Sequence, residues 1–247
     1  MRLVLTEPRF LKDPINVISE LVNEARFKID KDKVELIAMD PANVAMVVFR
    51  LLSSAFIEYN LDKETELAVN LDSLKHVLRR AKPSDTLTLE TVGNQLRIEL
   101  KGESVRHFNL SLINIEDKAQ KIPELNFLGK VEIPTSLFNE SIEDMDVVAE
   151  SVAFSIEPDN FLIEAAGNLH SAKVNFSKGE DIKINLSGKD KIMAKYSTEY
   201  LKKIIKGGKL SDTALINFSN DYPLKVEYKI MDKLDLQFIL APRVSND

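Results

Sequence analysis

Lys75, His76, Arg79 and Lys82 fall at the spacing of one helix face, and Lys202, Lys203, Lys206 and Lys209 repeat that spacing later in the chain. Cations at such intervals neutralise the phosphates of a polyanion, a contact that carries no base sequence and weakens steeply with salt. A solvated helix face gives a different pattern, with Glu placed to pair with Lys. No carboxylate occurs from Leu74 to Lys82 or from Leu201 to Lys209. Neither segment offers Asn or Gln for adenine edges, and Tyr200 is the one aromatic ring beside them, so no base-reading element is evident. The predicted chemistry is a backbone-only grip on a polyanion. It is set in a chain of formal net charge −6, which taken alone would repel such a partner.

Other chemistries find little support. His76, His107 and His170 are not spaced as a metal pair. There is no G-x-S-x-G, H-E-x-x-H or complete phosphate-binding loop, and Gly207-Gly208-Lys209 lacks the rest of one. Asp30-Lys31-Asp32 starts like a calcium loop but continues as Lys33-Val34, so it reads as a hairpin turn. Without cysteine there is no disulfide or thiolate chemistry, which fits a reducing interior. Neither a metal nor a cofactor is expected, and no enzymatic constellation emerges.

The elements that carry the basic rows are written twice. An ungapped shift of 127 residues turns Leu74-Lys75-His76-Val77-Leu78-Arg79 into Leu201-Lys202-Lys203-Ile204-Ile205-Lys206, and Ser84-Asp85-Thr86 into Ser211-Asp212-Thr213. The same shift maps Leu11, Ile15 and Ile18 onto Phe138, Ile142 and Met145, and Phe27 and Ile29 onto Phe154 and Ile156. A shift that holds over most of a half decides the architecture. Each half opens with a helical pattern (Leu11, Ile15, Ile18, Leu21 and Val22; then Phe138, Ile142, Met145 and Val148). Hairpins follow around Lys31-Asp32 and Pro158-Asp159-Asn160, then second helices at about Leu71–Ala81 and Ser197–Lys206, then alternating runs that read as strands. The predicted class is α+β, with helices on one face of antiparallel sheets. Ile113 to Lys130 is polar, aperiodic and broken by Pro123, and reads as a surface linker.

The first helices differ in charge. One carries Lys12, Asp13, Asn16 and Glu20; its counterpart carries Glu140, Glu143, Asp144 and Asp146. An acidic helix facing a polyanion would repel it, which is resolved if Glu140 and Asp144, at i and i+4, meet basic residues of another subunit. Composition, 44% hydrophobic and 29% charged, is that of a globular chain. No apolar run approaches the roughly 20 residues of a membrane span.

Met39-Asp40-Pro41, the helix Ser73-Leu74-Lys75-His76-Val77-Leu78, Ile122-Pro123-Glu124, Pro223-Leu224-Lys225-Val226-Glu227-Tyr228 and Leu240-Ala241-Pro242-Arg243 together resemble proliferating cell nuclear antigen. That family is the DNA polymerase sliding clamp of archaea and eukaryotes. Ser53-Ser54-Ala55-Phe56 and Arg243 lean toward the archaeal branch. The resemblance implies the clamp fold, with sheets outside and helices lining a central hole. It divides the chain into clamp domains 1–114 and 128–247 joined by a connecting loop at 115–127. Three subunits would encircle duplex DNA, the DNA-facing residues being Lys12, Lys75, His76, Arg79, Lys202, Lys203, Lys206 and Lys209.

At subunit boundaries the resemblance implies pairing of Val105–Leu112 with Ser171–Lys178 of the next chain, with Arg80, Lys82, Arg106, Glu140, Asp144 and Lys173 as interface residues. A partner-peptide pocket maps to Met39, Val44, Met46, Ile122, Pro123, Pro223, Ile239, Ala241 and Pro242. Gln120 and Ile239 depart from the apolar loop residue and the aromatic common there. Implied partners are a clamp loader, DNA polymerase, flap endonuclease and DNA ligase, with no membrane. The implied location is cytoplasmic and nucleoid-associated for an archaeal chain, nuclear for a eukaryotic one. The alternative is one subunit of a hetero-trimeric clamp or checkpoint-type ring.

Overall fold

The computed structural model describes residues 1–115, 120–188 and 190–243. The first copy runs β1 (Arg2–Leu5), α1 (Arg9–Ile18), β2 (Glu24–Ile29), β3 (Lys33–Met39), β4 (Ala45–Leu52), β5 (Glu58–Asn60), β6 (Thr65–Asn70), α2 (Leu71–Leu78), β7 (Thr86–Val92), β8 (Gln95–Lys101) and β9 (Val105–Ser111). The second runs β10 (Gly129–Pro134), α3 (Thr135–Asp146), β11 (Ser151–Glu157), β12 (Asn160–Ala166), β13 (Ser171–Ser177), β14 (Lys183–Leu186), β15 (Ile192–Ser197), α4 (Thr198–Ile204), β16 (Thr213–Phe218), β17 (Leu224–Ile230) and β18 (Leu234–Leu240). The 127-residue shift carries β3 onto β12 and β6 onto β15 end for end, and places α1 within α3.

Topology repeats with the elements. Neighbouring strands run β5-β1-β7-β8-β9 and β4-β3-β2-β6 in the first copy, and β14-β10-β16-β17-β18 and β13-β12-β11-β15 in the second. Neighbouring strands run antiparallel, as in β2 with β3 and β11 with β12. The chain divides into two compact units that interleave in sequence. One is Met1–Pro41, Val47–Ile122 and Lys229–Leu236; the other is Ala42–Met46, Pro123–Tyr228 and Gln237–Asp247.

Strand periodicity sets each unit's layering. In β3, Val34, Leu36 and Ala38 are buried and the intervening residues are half-buried, the period of two that puts one face on a core. α1 covers the first unit with Phe10, Leu11, Ile15, Val17 and Ile18, and α2 with Leu71, Leu74, Val77 and Leu78. The second core is more aromatic. The Phe154 ring lies edge-on to Phe138, Phe161, Tyr196 and Phe218, with centroids 5.5 to 6.1 Å apart, the arrangement ring quadrupoles favour. At Phe138 and Phe161 the first copy has Leu11 and Val34, and there the smaller side chains help to line an apolar cavity of about 30 Å³.

Several helices end earlier than their apolar spacing predicts. α1 stops at Ile18; Leu21 and Val22 are buried in the following turn, with both amides donating to Ile18 O. α2 stops at Leu78 rather than Ala81, its last turn tightening as Arg80 N donates to Val77 O and Ala81 N to Leu78 O. α4 stops at Ile204 and passes into a 3₁₀ turn, Ile205–Lys209. Gly207 explains the close approach: a Cβ there would stand 2.5 Å from the Tyr228 ring, which is fully buried. Gly207→Ala should therefore lower unfolding free energy by about 1–3 kcal/mol, the usual cost of overpacking. Urea denaturation reads it directly, and an unchanged midpoint would show that the ring can move aside. Among the described residues no helix is long and apolar enough to cross a membrane.

Candidate nucleic-acid interface

α2 is started by Asn70, whose side chain accepts a hydrogen bond from Ser73 N at 2.9 Å, a standard N-cap. Its buried stripe fixes the opposite side outward, so His76, Arg79 and Arg80 are exposed and Lys75 is half-buried. In the second unit Leu201, Ile204 and Ile205 are buried, Lys202, Lys206 and Lys209 exposed and Lys203 half-buried. Cations also sit well at these helix ends, where the dipole is negative.

The rows do not stand free of acids, although their own segments contain none. Lys75 Nζ lies 3.6 Å from Glu20, just beyond the end of α1. Lys202 Nζ lies 2.6 Å from Asp146 at the end of α3, and this hydrogen bond and charge hold the Lys202 ammonium above its ordinary pKa. Lys203 pairs with Glu199 one turn back at 2.9 Å and lies over the Tyr200 ring. These exposed or partly exposed pairs are worth little, so phosphates can compete for the lysines. Lys12 is placed differently: it is half-buried and its Nζ donates to Ala81 O at 2.9 Å, closing the chain end beyond α2. Glu140, Glu143, Asp144 and Asp146 are all exposed on α3. The pairings of Lys75 with Glu20 and of Lys202 with Asp146 were the part of the site that linear inspection missed; each acid precedes its partner helix in sequence, with several strands in between.

The expected interface residues occupy two places in the first unit and two in the second. Arg106, on β9, donates to the buried carboxylate of Asp85 and to Arg80 O. Arg80 is exposed, and Lys82 pairs with Glu103 at 3.0 Å. On β13, Lys173 lies 3.3 Å from Glu164 of the adjoining strand. The carboxyl of Asp85 is held below its ordinary value of 3.8, first by the hydrogen bond from Lys82 N and then by Arg106. Glu35 is also lowered: burial alone would raise it, but hydrogen bonds from Arg50 and Lys33 prevail. A depressed folded pKa adds stability that is complete above the unfolded value and is lost as pH falls through the folded one. The melting temperature should thus drop on acidification below about pH 4.5, and drop less in Asp85→Asn with Glu35→Gln. Parallel pH–melting curves for the two proteins would contradict this.

The peptide-pocket residues divide between the units. Met39 and Ile122 are half-buried in the first. In the second, Val44 O accepts from Ala241 N at 2.9 Å, Met46 and Ile239 are buried, Pro223 and Pro242 half-buried and Pro123 exposed. Beside Pro223, the Tyr222 ring packs edge-on against Phe127 and its carbonyl accepts from Tyr196 OH at 2.7 Å. This anchor of the segment after Pro123 leaves no periodic signal in sequence.

Comparison with known proteins places this geometry. The model for the N-terminal domain of proliferating cell nuclear antigen matches residues 1–120, and that for its C-terminal domain matches 121–243. A protein named DNA polymerase sliding clamp from Nanoarchaeum equitans is 33% identical over 98% of this chain and 99% of its own length. One of the same name from Methanothermobacter thermautotrophicus is 33% identical over 97% and 96%. The crystal structure of PCNA from Thermococcus kodakaraensis superposes with a TM-score of 0.92 at 25% identity, covering 98% of this chain and 99% of that one. Matched over both repeats by sequence and by structure, the chain belongs to the proliferating cell nuclear antigen family.

Proposed function

We propose that this chain is a DNA sliding clamp, a ring-forming processivity factor that encircles duplex DNA and tethers a replicative polymerase. The observation that carries this reading is the duplicated fold with a basic second helix in each copy, exposed at Arg79, Lys202 and Lys206, in a family of sliding clamps. Such clamps are non-catalytic, and nothing in the site calls for a reaction. The basic helices suit a weak, sequence-independent hold on phosphates, which permits sliding.

Ring closure is supported by two open edges. β9 ends the five-stranded sheet of the first copy and β13 ends the four-stranded sheet of the second. Each has seven residues, none of its polar positions is proline, and one face carries half-buried apolar side chains: Phe108 and Leu110, Ala172 and Val174. Strands that end a sheet leave backbone groups open to pairing, and a head-to-tail contact closes a ring when its rotation allows. On this reading Arg80, Lys82, Arg106, Glu140, Asp144 and Lys173 flank the boundary. Residues 1–114 and 128–247 are the two clamp domains, and 115–127 connect them, residues 116–119 lying outside those described. A clamp loader, flap endonuclease and ligase are the further partners, the enzymes docking through short hydrophobic peptides.

The test is topological. Clamp loaded on a closed circular duplex should stay bound and be released when the circle is cut. Equal retention on linear and circular DNA would refute encirclement, and a chain that stays monomeric in light scattering at high concentration would point to a ring that needs sister chains.

A further inference from the structure

A helix end leaves backbone carbonyls without intrahelical partners, and cationic side chains can take them. Just past α2 two carbonyls are held in this way, from two different elements of the first unit. Lys12 Nζ, from α1, donates to Ala81 O at 2.9 Å, and the Arg106 guanidinium, from β9, donates to Arg80 O at 2.9 Å. Arg106 is itself fixed, because its other terminal nitrogen donates to the carboxylate of Asp85. That carboxylate is buried and also accepts from Lys82 N at 2.7 Å. A glycine admits it: a Cβ at Gly102 would stand 2.2 Å from Asp85 Oδ1.

The segment held from both sides, residues 79–82, carries the cations Arg79, Arg80 and Lys82. Arg79 is exposed and makes no ion pair among the described residues, whereas Lys75, one turn earlier, leans on Glu20. The direction of Arg79 is therefore set by its backbone. The second copy holds the same turn by contact rather than by charge. The 127-residue shift puts Asn139, Gly207 and Gly208 at the places of Lys12, Arg80 and Ala81. A Cβ on Gly208 would stand 2.9 Å from Asn139 Nδ2, and one on Gly207 2.5 Å from the Tyr228 ring. We propose that Lys12 and Arg106 are positioning residues, which hold the turn after α2 and so aim Arg79 at the phosphates, Lys12 making no phosphate contact of its own. The proposal rests on the clamp reading for the identity of the polyanion.

Binding of the assembled protein to a short fluorescein-labelled linear duplex, followed by anisotropy over a salt series, separates the roles. Lys12→Met keeps the side-chain stem and removes the ammonium. Its affinity should fall about fivefold, the cost of ordering a freed side chain, with the slope of log K against log salt unchanged. Arg79→Met, which removes a phosphate contact, should flatten that slope by about 0.9 per contact. In the Arg79→Met background Lys12→Met should have no further effect, and Lys12→Arg, whose guanidinium can take the same carbonyl, should restore the parental affinity. Hydrogen exchange gives a readout without DNA. Amides 79–82 should exchange about tenfold faster in Lys12→Met, and also in Arg106→Met with Asp85→Asn, a pair that strands no buried carboxylate, while amides 201–209 keep their rates. A flatter slope in Lys12→Met, or effects of Lys12→Met and Arg79→Met that add, would make Lys12 a phosphate contact and overturn the proposal. Unchanged affinity in Lys12→Met, or unchanged exchange in both variants, would overturn it as well. A parent protein that binds no duplex would overturn the clamp reading, and the aim of Arg79 with it.

Discussion

Reversing Lys75, Arg79, Lys202 and Lys206 to Glu should abolish retention on circular DNA while the subunits remain assembled. Each substitution exchanges a cation for an anion, so every chain shifts by eight charges on the faces assigned to the phosphates. Phosphate neutralisation dominates non-specific affinity, and losing several contacts costs orders of magnitude, so retention should fall by at least about a hundredfold. The positions are not equivalent. Arg79, Lys202 and Lys206 are exposed, and losing the Lys202–Asp146 pair is cheap because both side chains are in water. Lys75 is half-buried 3.6 Å from Glu20, so a glutamate there adds a like-charge contact within the fold. The triple variant that keeps Lys75 therefore isolates the DNA effect, and its retention should also weaken less with added salt than that of the parent protein. Full retention by a folded triple variant would mean that these rows are ordinary solvated helix faces.

The repeat was legible because it is carried by local pattern. Helical spacing, hairpin turns and Ser-Asp-Thr each occupy a few consecutive residues, and one shift aligns them. What bonds across the fold was not legible. Ser84-Asp85-Thr86 and Ser211-Asp212-Thr213 are identical in sequence, yet Asp85 is buried against Arg106 while Asp212 is exposed. Lys12 reads as an outward cation on its helix, but its hydrogen bond goes to Ala81 O, 69 residues away. Asp146 and Lys202 are 56 residues apart, and nothing in either segment announces their pairing. The compact units also trade segments, Ala42–Met46 against Lys229–Leu236, whereas a shift in register can only cut the chain into contiguous halves. The peptide pocket and the interface assignments other than Glu140 and Asp144 came from resemblance alone, because half-buried Val, Met and Pro residues have no periodicity that separates a docking surface from a core.

Leu110→Arg on β9, or Val174→Arg on β13, should each convert the assembly from three chains to one. Both positions are half-buried on the apolar side of an edge strand. In the separate chain the arginine can extend its head into water with little loss of fold stability. In a closed boundary the same charge would be covered by the neighbouring strand, and an unpaired buried charge costs several kcal/mol, so the dissociation constant should rise at least about a hundredfold. Light scattering would then give the single-chain mass of 27.9 kDa. The mixture of the two variants is the sharper measurement. The Val174→Arg chain retains an intact β9 and the Leu110→Arg chain an intact β13, so one good boundary can form between them. A third chain of either kind would have to form two further boundaries, one holding a single arginine and the other holding both. A head-to-tail interface therefore predicts a one-to-one pair that grows no further, whereas contacts of β9 with β9 or β13 with β13 would bring like variants together and leave the mixed pair without any advantage.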